Sequence, residues 1–307
     1  MELWHDSIKV LAVRRAENGE TKIMMTRLRK TVARTIAPLR LGAREFKDYR
    51  VLQRLTREQV DVSALCRLDV VELSERLEDE EIAADWQGDI DALQRVNPPD
   101  YASGVNPGDQ RALYTLVRGF NALRVLEVGT HIGSSTLAIA LACRRKSNEG
   151  TVPSITTVDI RDVNHKENKP WAYFGSDASP KEKLKQLALD DLVEFRVGDG
   201  HQVLSETSER FNFIFLDGSH QAPIVYREIS AAIRSLAPGG VVVMHDVFPY
   251  GRRLWPESRQ ITGPWQAVSR MVSENPALRL LPLGELPWPT KYGGHVTSLA
   301  VLARVSP

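Results

Sequence analysis

A few short stretches hold the residues whose types and spacing could do chemistry. The first is Val125-Leu-Glu-Val-Gly-Thr-His-Ile-Gly-Ser-Ser-Thr136, an apolar run, a turn containing Gly129 and Gly133, and then a helix start. Glycines in such a turn let the backbone approach a ligand closely, and the exposed amides of a helix N-terminus favour polar or anionic groups. A dinucleotide fingerprint needs Gly-x-Gly-x-x-Gly, whereas this turn reads Gly129-x-x-x-Gly133 with Glu127 two residues ahead, which points away from NAD. Two more acids close apolar runs: Asp159 in Thr156-Thr-Val-Asp-Ile160, and Asp199, followed by Gly200, in Arg196-Val-Gly-Asp-Gly-His201. A carboxylate at the C-terminal edge of a parallel strand faces the crevice where ligands bind in open α/β sheets. The same acids also suit plain turn or N-cap use. The remaining stretches are Phe213-Ile-Phe-Leu-Asp-Gly-Ser-His-Gln221, with Asp217 and His220, and Leu236-Ala-Pro-Gly-Gly-Val-Val-Val-Met-His-Asp-Val247, with His245 and Asp246.

The elements that must position these residues alternate between apolar strands and helices, the signature of a doubly wound α/β sheet covered on both faces. The strand candidates are Arg124–Val128, Ile155–Val158, Val193–Val197, Phe213–Leu216, Val241–Met244 and Ser298–Leu302. Helical stretches are Ser134–Cys143, Pro180–Leu189, Ile224–Leu236 and Trp265–Glu274. Ahead of them the pattern differs. Ile8–Val13 and Thr21–Met25 flank an Asn18-Gly19 hairpin signal, with a basic helix as the competing reading. From about Arg44 to Val96 the chain reads as charged helix, and residues 72–91 hold nine acids against Arg76, which suits a solvated face or a subunit contact. Asn97-Pro-Pro-Asp100 and Asn106-Pro-Gly108 then break the chain. The division expected is an N-terminal accessory module over 1–100 and a catalytic domain over 101–307.

The 307 residues are 26% charged and 42% hydrophobic, with 40 Lys+Arg against 39 Asp+Glu, so disorder is excluded and one large domain or two can bury a core. A net charge of +1 gives no broad field for gripping a polyanion, which makes a small molecule a better expected partner than nucleic acid. Cys66 and Cys143 lack any disulfide or metal-ligand spacing and read as reduced thiols. No stretch spans a bilayer and the N-terminus lacks a signal-peptide pattern, so the expected setting is cytoplasmic and away from membranes.

The first motif resembles that of the class I S-adenosylmethionine (SAM) dependent methyltransferases, which runs Glu/Asp-x-Gly-x-x-x-Gly after the first strand. The resemblance continues at Asp159, where the family holds the ribose hydroxyls, and at Asp199-Gly200, where its adenine-side contact sits. An ionised Asp can accept two hydroxyl hydrogen bonds from a ribose. The cofactor-binding residues this implies are Glu127, Gly129, Thr130, Gly133, Ser134, Ser135, Asp159, Asp199, Gly200 and Asp217. Ser134 and Ser135 suit helix capping equally well. The block from Phe213 to Val247 looks like that of the metal-dependent O-methyltransferases of the macrolide-sugar and cephalosporin-tailoring type. In that group an Asp-x-x-His after strand four and an acid pair after strand five flank a divalent metal. Asp217, Asp246 and His220 fall on those positions, while His245 stands where a second acid is common. The resemblance therefore implies metal ligands Asp217, Asp246 and, in doubt, His245, and catalytic roles for Asp217 and for His220 ahead of His245 as base.

Magnesium would suit two carboxylates and a substrate oxygen; coordination by His245 would favour manganese, iron or zinc. The reaction implied is methyl transfer to a hydroxyl of a small metabolite. The alternatives are a metal-independent N-methyltransferase and a SAM-binding protein without turnover. Two long connections, Asp162–Ser179 and Phe248–Pro264, carry aromatic residues and read as walls of the acceptor pocket, with Arg252, Arg253 and Arg259 available to an acidic substrate. The N-terminal module would bridge subunits of a homo-oligomer or cover the pocket.

Overall fold

The computed structural model describes residues 42–97, 104–145, 152–256 and 260–305. The predicted hairpin at 7–29, residues 98–100 of the chain break and Arg259 lie outside the described residues. The chain divides into two compact units, Met1–Phe46 and Lys47–Pro307. Helix α1 (Ala43–Arg54) starts in the first, and all later elements belong to the second.

The second unit is built on a seven-stranded sheet of β1 (Arg124–Val128), β2 (Ser154–Asp159), β3 (Val193–Val197), β4 (Phe211–Leu216), β5 (Leu236–Met244), β6 (Leu278–Pro282) and β7 (Ala300–Arg304). Their order is β3-β2-β1-β4-β5-β7-β6. Strands β1 to β5 pair in parallel, and β7 inserts antiparallel between β5 and β6. The doubly wound Rossmann-like arrangement expected from the sequence is present, with one addition. The edge strand β6 follows Asn275-Pro276 and ends in Pro282, so its pattern is short and interrupted, and a proline is tolerated there because an edge strand has unpaired positions.

The central strands are apolar on both faces, as a sheet covered on both sides requires. Val125, Phe213, Phe215, Val241 and Val243 pack on one face with α4 (Pro107–Gly119) and α5 (Ser134–Arg144). Leu126, Val128, Ile214, Leu216, Val242 and Met244 pack on the other with α8 (Ala222–Arg234) and α9 (Gly263–Glu274). Short helices α6 (Pro180–Gln186) and α7 (Gly200–Glu206) complete the crossovers.

Helices α2 (Val70–Leu77) and α3 (Glu80–Val96) join the first of these cores through Leu73, Leu77, Ile82, Trp86 and Leu93. The break at 97–106 therefore falls inside one compact unit. Asp69 caps α2 in a capping box with Glu72, and Asp79 caps α3, which accounts for part of the acidic run. Asp85 and Asp89 face inward instead. Asp89 is buried, with Arg145 at 2.9 Å and the Tyr114 hydroxyl donating to it at 2.9 Å, while Arg118 meets Asp85 at 2.5 Å. The run is thus only in part a solvated face. Cys66 and Cys143 are free thiols. Among the described residues no helix is long and apolar enough to cross a membrane.

Candidate active site

A cleft of about 770 Å³ opens at the C-terminal ends of the parallel strands, beside β1 and β4, where the direction of winding reverses. The turn after β1 forms its floor. Gly129 has φ +104°, and a Cβ there would stand 2.5 Å from the Asp217 carbonyl oxygen. Gly133 has φ +81° and precedes α5, where a Cβ would press on Pro180 at 2.9 Å. Both positions need glycine for conformation and for space.

Gly129, Thr130, Ser134, Ser135, Asp159, Asp199, Gly200 and Asp217 all line the cleft, so the structure brings together most of the cofactor residues expected from the sequence. Glu127 and Gly133 stand behind the wall. The Glu127 carboxylate is fully buried and accepts from the hydroxyls of Ser135 at 2.5 Å, Thr136 at 2.5 Å and Thr157 at 2.6 Å. Burial pushes this carboxyl up to about 7, against the pull of the three hydroxyls. The direct contact expected of Glu127 is therefore replaced by a tie between the glycine turn, α5 and β2. Ser135 spends its hydroxyl on that tie, and Ser134 donates weakly to Asn97 at 3.4 Å.

Asp159 ends β2 with one carboxylate oxygen accepting from the His131 N–H at 2.9 Å and the other from the Arg161 N–H at 3.0 Å. Two lone pairs remain for ligand hydroxyls. Asp199 caps α7 through the Gln202 N–H at 2.9 Å and also lines the cleft. Gly200 lets α7 approach β1, because a Cβ there would meet Val128 at 2.4 Å.

Across the cleft, Asp217 follows β4 and Asp246 follows β5. One ligand atom from each of Asp217, His220 and Asp246 lies within 4.8 Å of the others, a grouping able to hold a metal ion. The His220 Nε2 meets Asp246 Oδ2 at 2.8 Å. This hydrogen bond raises the imidazole's affinity for a proton. Burial raises the Asp246 carboxyl, but the charges of His245 and His220 outweigh it and bring the group down to about 2.

His245 departs from both roles expected of it. Its ring is buried, with Nδ1 3.1 Å from Asp217 Oδ1 and Nε2 3.1 Å from Asp109 Oδ2. Burial opposes its charge, yet the surrounding carboxylates hold its pKa well above the usual range. With each ring nitrogen engaged by a carboxylate, it offers no free nitrogen as base or third metal ligand, and it is the His220 ring that joins Asp217 and Asp246 in the grouping. His245 and Asp246 are neighbours in sequence but turn apart, since Asp246 adopts φ +53° and points into the cleft.

Asp109 is a site residue that sequence reasoning missed. It sits in the first turn of α4, fully buried, and also accepts from Asn106 at 2.6 Å and Thr297 at 2.5 Å. A capping pattern at Asn106-Pro107 announces the helix, but nothing local announces the partner. The acceptor side of the cleft is lined by Phe248, Trp255, Ile261, Lys291 and Tyr292. Of these, Lys291 and Tyr292 come from a segment that the sequence did not single out. Arg252 and Arg253 do not line the cleft, and of the 162–179 connection no residue does.

Residues 126–247 match the family described as "Methyltransferase domain". With the sheet order and the glycine turn after β1, the match makes this segment similar to a methyltransferase domain, the class of protein that the sequence resemblance implied. Solved structures with related chains include the O-methyltransferase TomG from Streptomyces achromogenes, involved in tomaymycin synthesis and solved with SAM, at 20% identity over 75% of this chain and 91% of that one, with a TM-score of 0.47. They also include the O-methyltransferase from Bacillus cereus solved with S-adenosylhomocysteine (SAH), at 22% identity, 75% and 92% coverage, and a TM-score of 0.46. Cofactor-bound Rv0187 from MTB is 19% identical, over 81% of this chain and 100% of that one, at 0.48. Similarity at this level adds nothing to the chemistry of the site, which rests on the residues themselves.

Proposed function

We propose that the protein transfers the methyl group of SAM to a hydroxyl of a small metabolite, with a divalent ion held by Asp217, His220 and Asp246. The observation that carries this reading is the convergence of those three side chains on the same cleft as the glycine turn. Two carboxylates and an imidazole suit a first-row ion such as manganese, iron or zinc, while magnesium would rely chiefly on the two acids. When bound, the ion supplies a lowered pKa for a coordinated hydroxyl.

The chain's own residues do the rest. The Gly129 turn and Asp159 hold the donor, while Phe248, Trp255 and Ile261 exclude water from the acceptor side. Methyl transfer from a sulfonium needs an in-line approach of acceptor and donor, so their alignment is the main demand on the cleft. Asp217 is fixed by His245 and receives the acceptor's polar end. In a metal-free version, supported by the 2.8 Å contact that keeps Nε2–H on Asp246, His220 takes the hydroxyl proton on Nδ1 while Asp246 stabilises the resulting imidazolium. The partner on this reading is a hydroxylated small molecule rather than nucleic acid or membrane.

The test is product detection by mass spectrometry with SAM and a library of phenols, sugars and amines, run with and without a chelator. Methylated hydroxyls that disappear on chelation and return with added ion are expected. Methylated amines unaffected by chelation would replace this reading with N-methylation, and SAM binding without any product would leave a binding protein.

A further inference from the structure

The cofactor side of the cleft contains a buried carboxyl that the sequence motifs do not mention. Glu228, in the middle of α8, is 3% exposed and lines the cleft next to Gly198, Asp199 and Gly200. Its Oε1 lies 3.0 Å from where a Cβ on Gly200 would stand, so the absence of that Cβ leaves the carboxyl open to the cleft. No described residue gives it a hydrogen bond or an ion pair, and the nearest ionisable neighbour is another acid, Asp199. A buried carboxyl without donors is strongly disfavoured, and native structures satisfy such groups from protein, water or ligand. Around it, Val128, Ile160 and Ile224 make the cleft wall apolar, a surface for a flat ring.

We propose that Glu228 reads the adenine edge of SAM by accepting a hydrogen bond from the purine's exocyclic amine. Hypoxanthine carries a carbonyl in place of this amine, so an acceptor held opposite that position loses its donor and faces another acceptor. The inference rests on SAM as cofactor and is independent of the acceptor and of any metal.

Calorimetry on the full-length protein tests it with SAH and S-inosylhomocysteine, which differ in replacing the amine with a carbonyl. The wild type should bind SAH at least tenfold tighter. Glu228→Ala should bring that ratio below threefold. Glu228→Gln should also lose most of the preference, because its amide can turn to donate to the carbonyl that the carboxylate repels. Should the alanine variant not fold, Glu228→Met keeps the side-chain volume and must show the same loss of preference. A wild type that binds both ligands equally, or an alanine variant with the wild-type ratio, overturns the assignment. Failure of the wild type to bind either ligand also overturns it, through the cofactor rather than through Glu228.

Discussion

The two sides of the cleft are held in different ways. On the cofactor side the principal acids are satisfied mainly by neutral donors close by: three hydroxyls around Glu127, two backbone N–H groups at Asp159, which the Arg161 guanidinium also approaches at 3.6 Å, and one backbone N–H at Asp199. On the acceptor side, three aspartates and two histidines interlock through charge, Asp109 to His245 to Asp217 and His220 to Asp246. The first arrangement is a cradle whose shape is set before any ligand arrives. The second concentrates charge where a hydroxyl has to lose a proton. Neutral hydrogen bonds suit the binding of a cofactor whose form hardly changes, whereas preorganised charge acts on what develops during the reaction.

Substitutions on the two sides should therefore separate turnover from affinity. The largest effect is expected from Asp217→Asn, which should lower kcat by roughly 10²-fold or more with the SAM dissociation constant close to wild type. A parallel loss of SAM affinity, read by calorimetry, would erase the distinction between the sides. Next comes Asp159→Ala, expected to weaken SAM by about tenfold, in line with the loss of a hydrogen bond to a charged group. Saturating SAM should then restore the rate, and a kcat that stays low would assign Asp159 to the chemistry instead.

The smallest effect concerns pH. Because the Glu127 carboxyl is raised from 4.5 to about 7 in the folded protein, its protonated form favours folding; that contribution is complete below pH 4.5 and is lost as pH rises through about 7. Denaturant unfolding of wild type and Glu127→Gln should show a stability difference that shifts against the wild type across that window. Glu228 is present in both chains and cancels. A difference independent of pH would show that the buried Glu127 does not titrate there.

The cofactor side was the more legible in the sequence, and the reason is distance along the chain. Gly129, Asp159 and Asp199 each lie at a strand end or within two residues of it, and Gly133 follows four residues after Gly129, so local spacing finds them. Even there, spacing could not tell that Glu127 faces inward, because that depends on Thr157 arriving from the next strand. Asp217, His220 and Asp246 were also found, since they follow β4 and β5 directly. The capture of His245 by two carboxylates was hidden for two reasons. The turn at Asp246 separates neighbours in sequence, and the partner that captures His245 lies 136 residues away in Asp109. Glu228 was hidden for another cause, since in sequence it is simply a charged residue in an amphipathic helix. The strand β6 escaped because its short run ends in a proline.

The insertion of β7 between β5 and β6 has a consequence in time. Thr297 and Ser298, just ahead of β7, supply the hydroxyl that holds Asp109 and the backbone and hydroxyl contacts that hold Asp246 and Val247. During synthesis from the N-terminus, all five parallel strands and the glycine turn emerge before those two residues do. The contacts that shape the glycine turn, Asp159 and Asp199 are thus complete within residues 127–202, whereas the acids opposite are fixed only by the last strand of the chain.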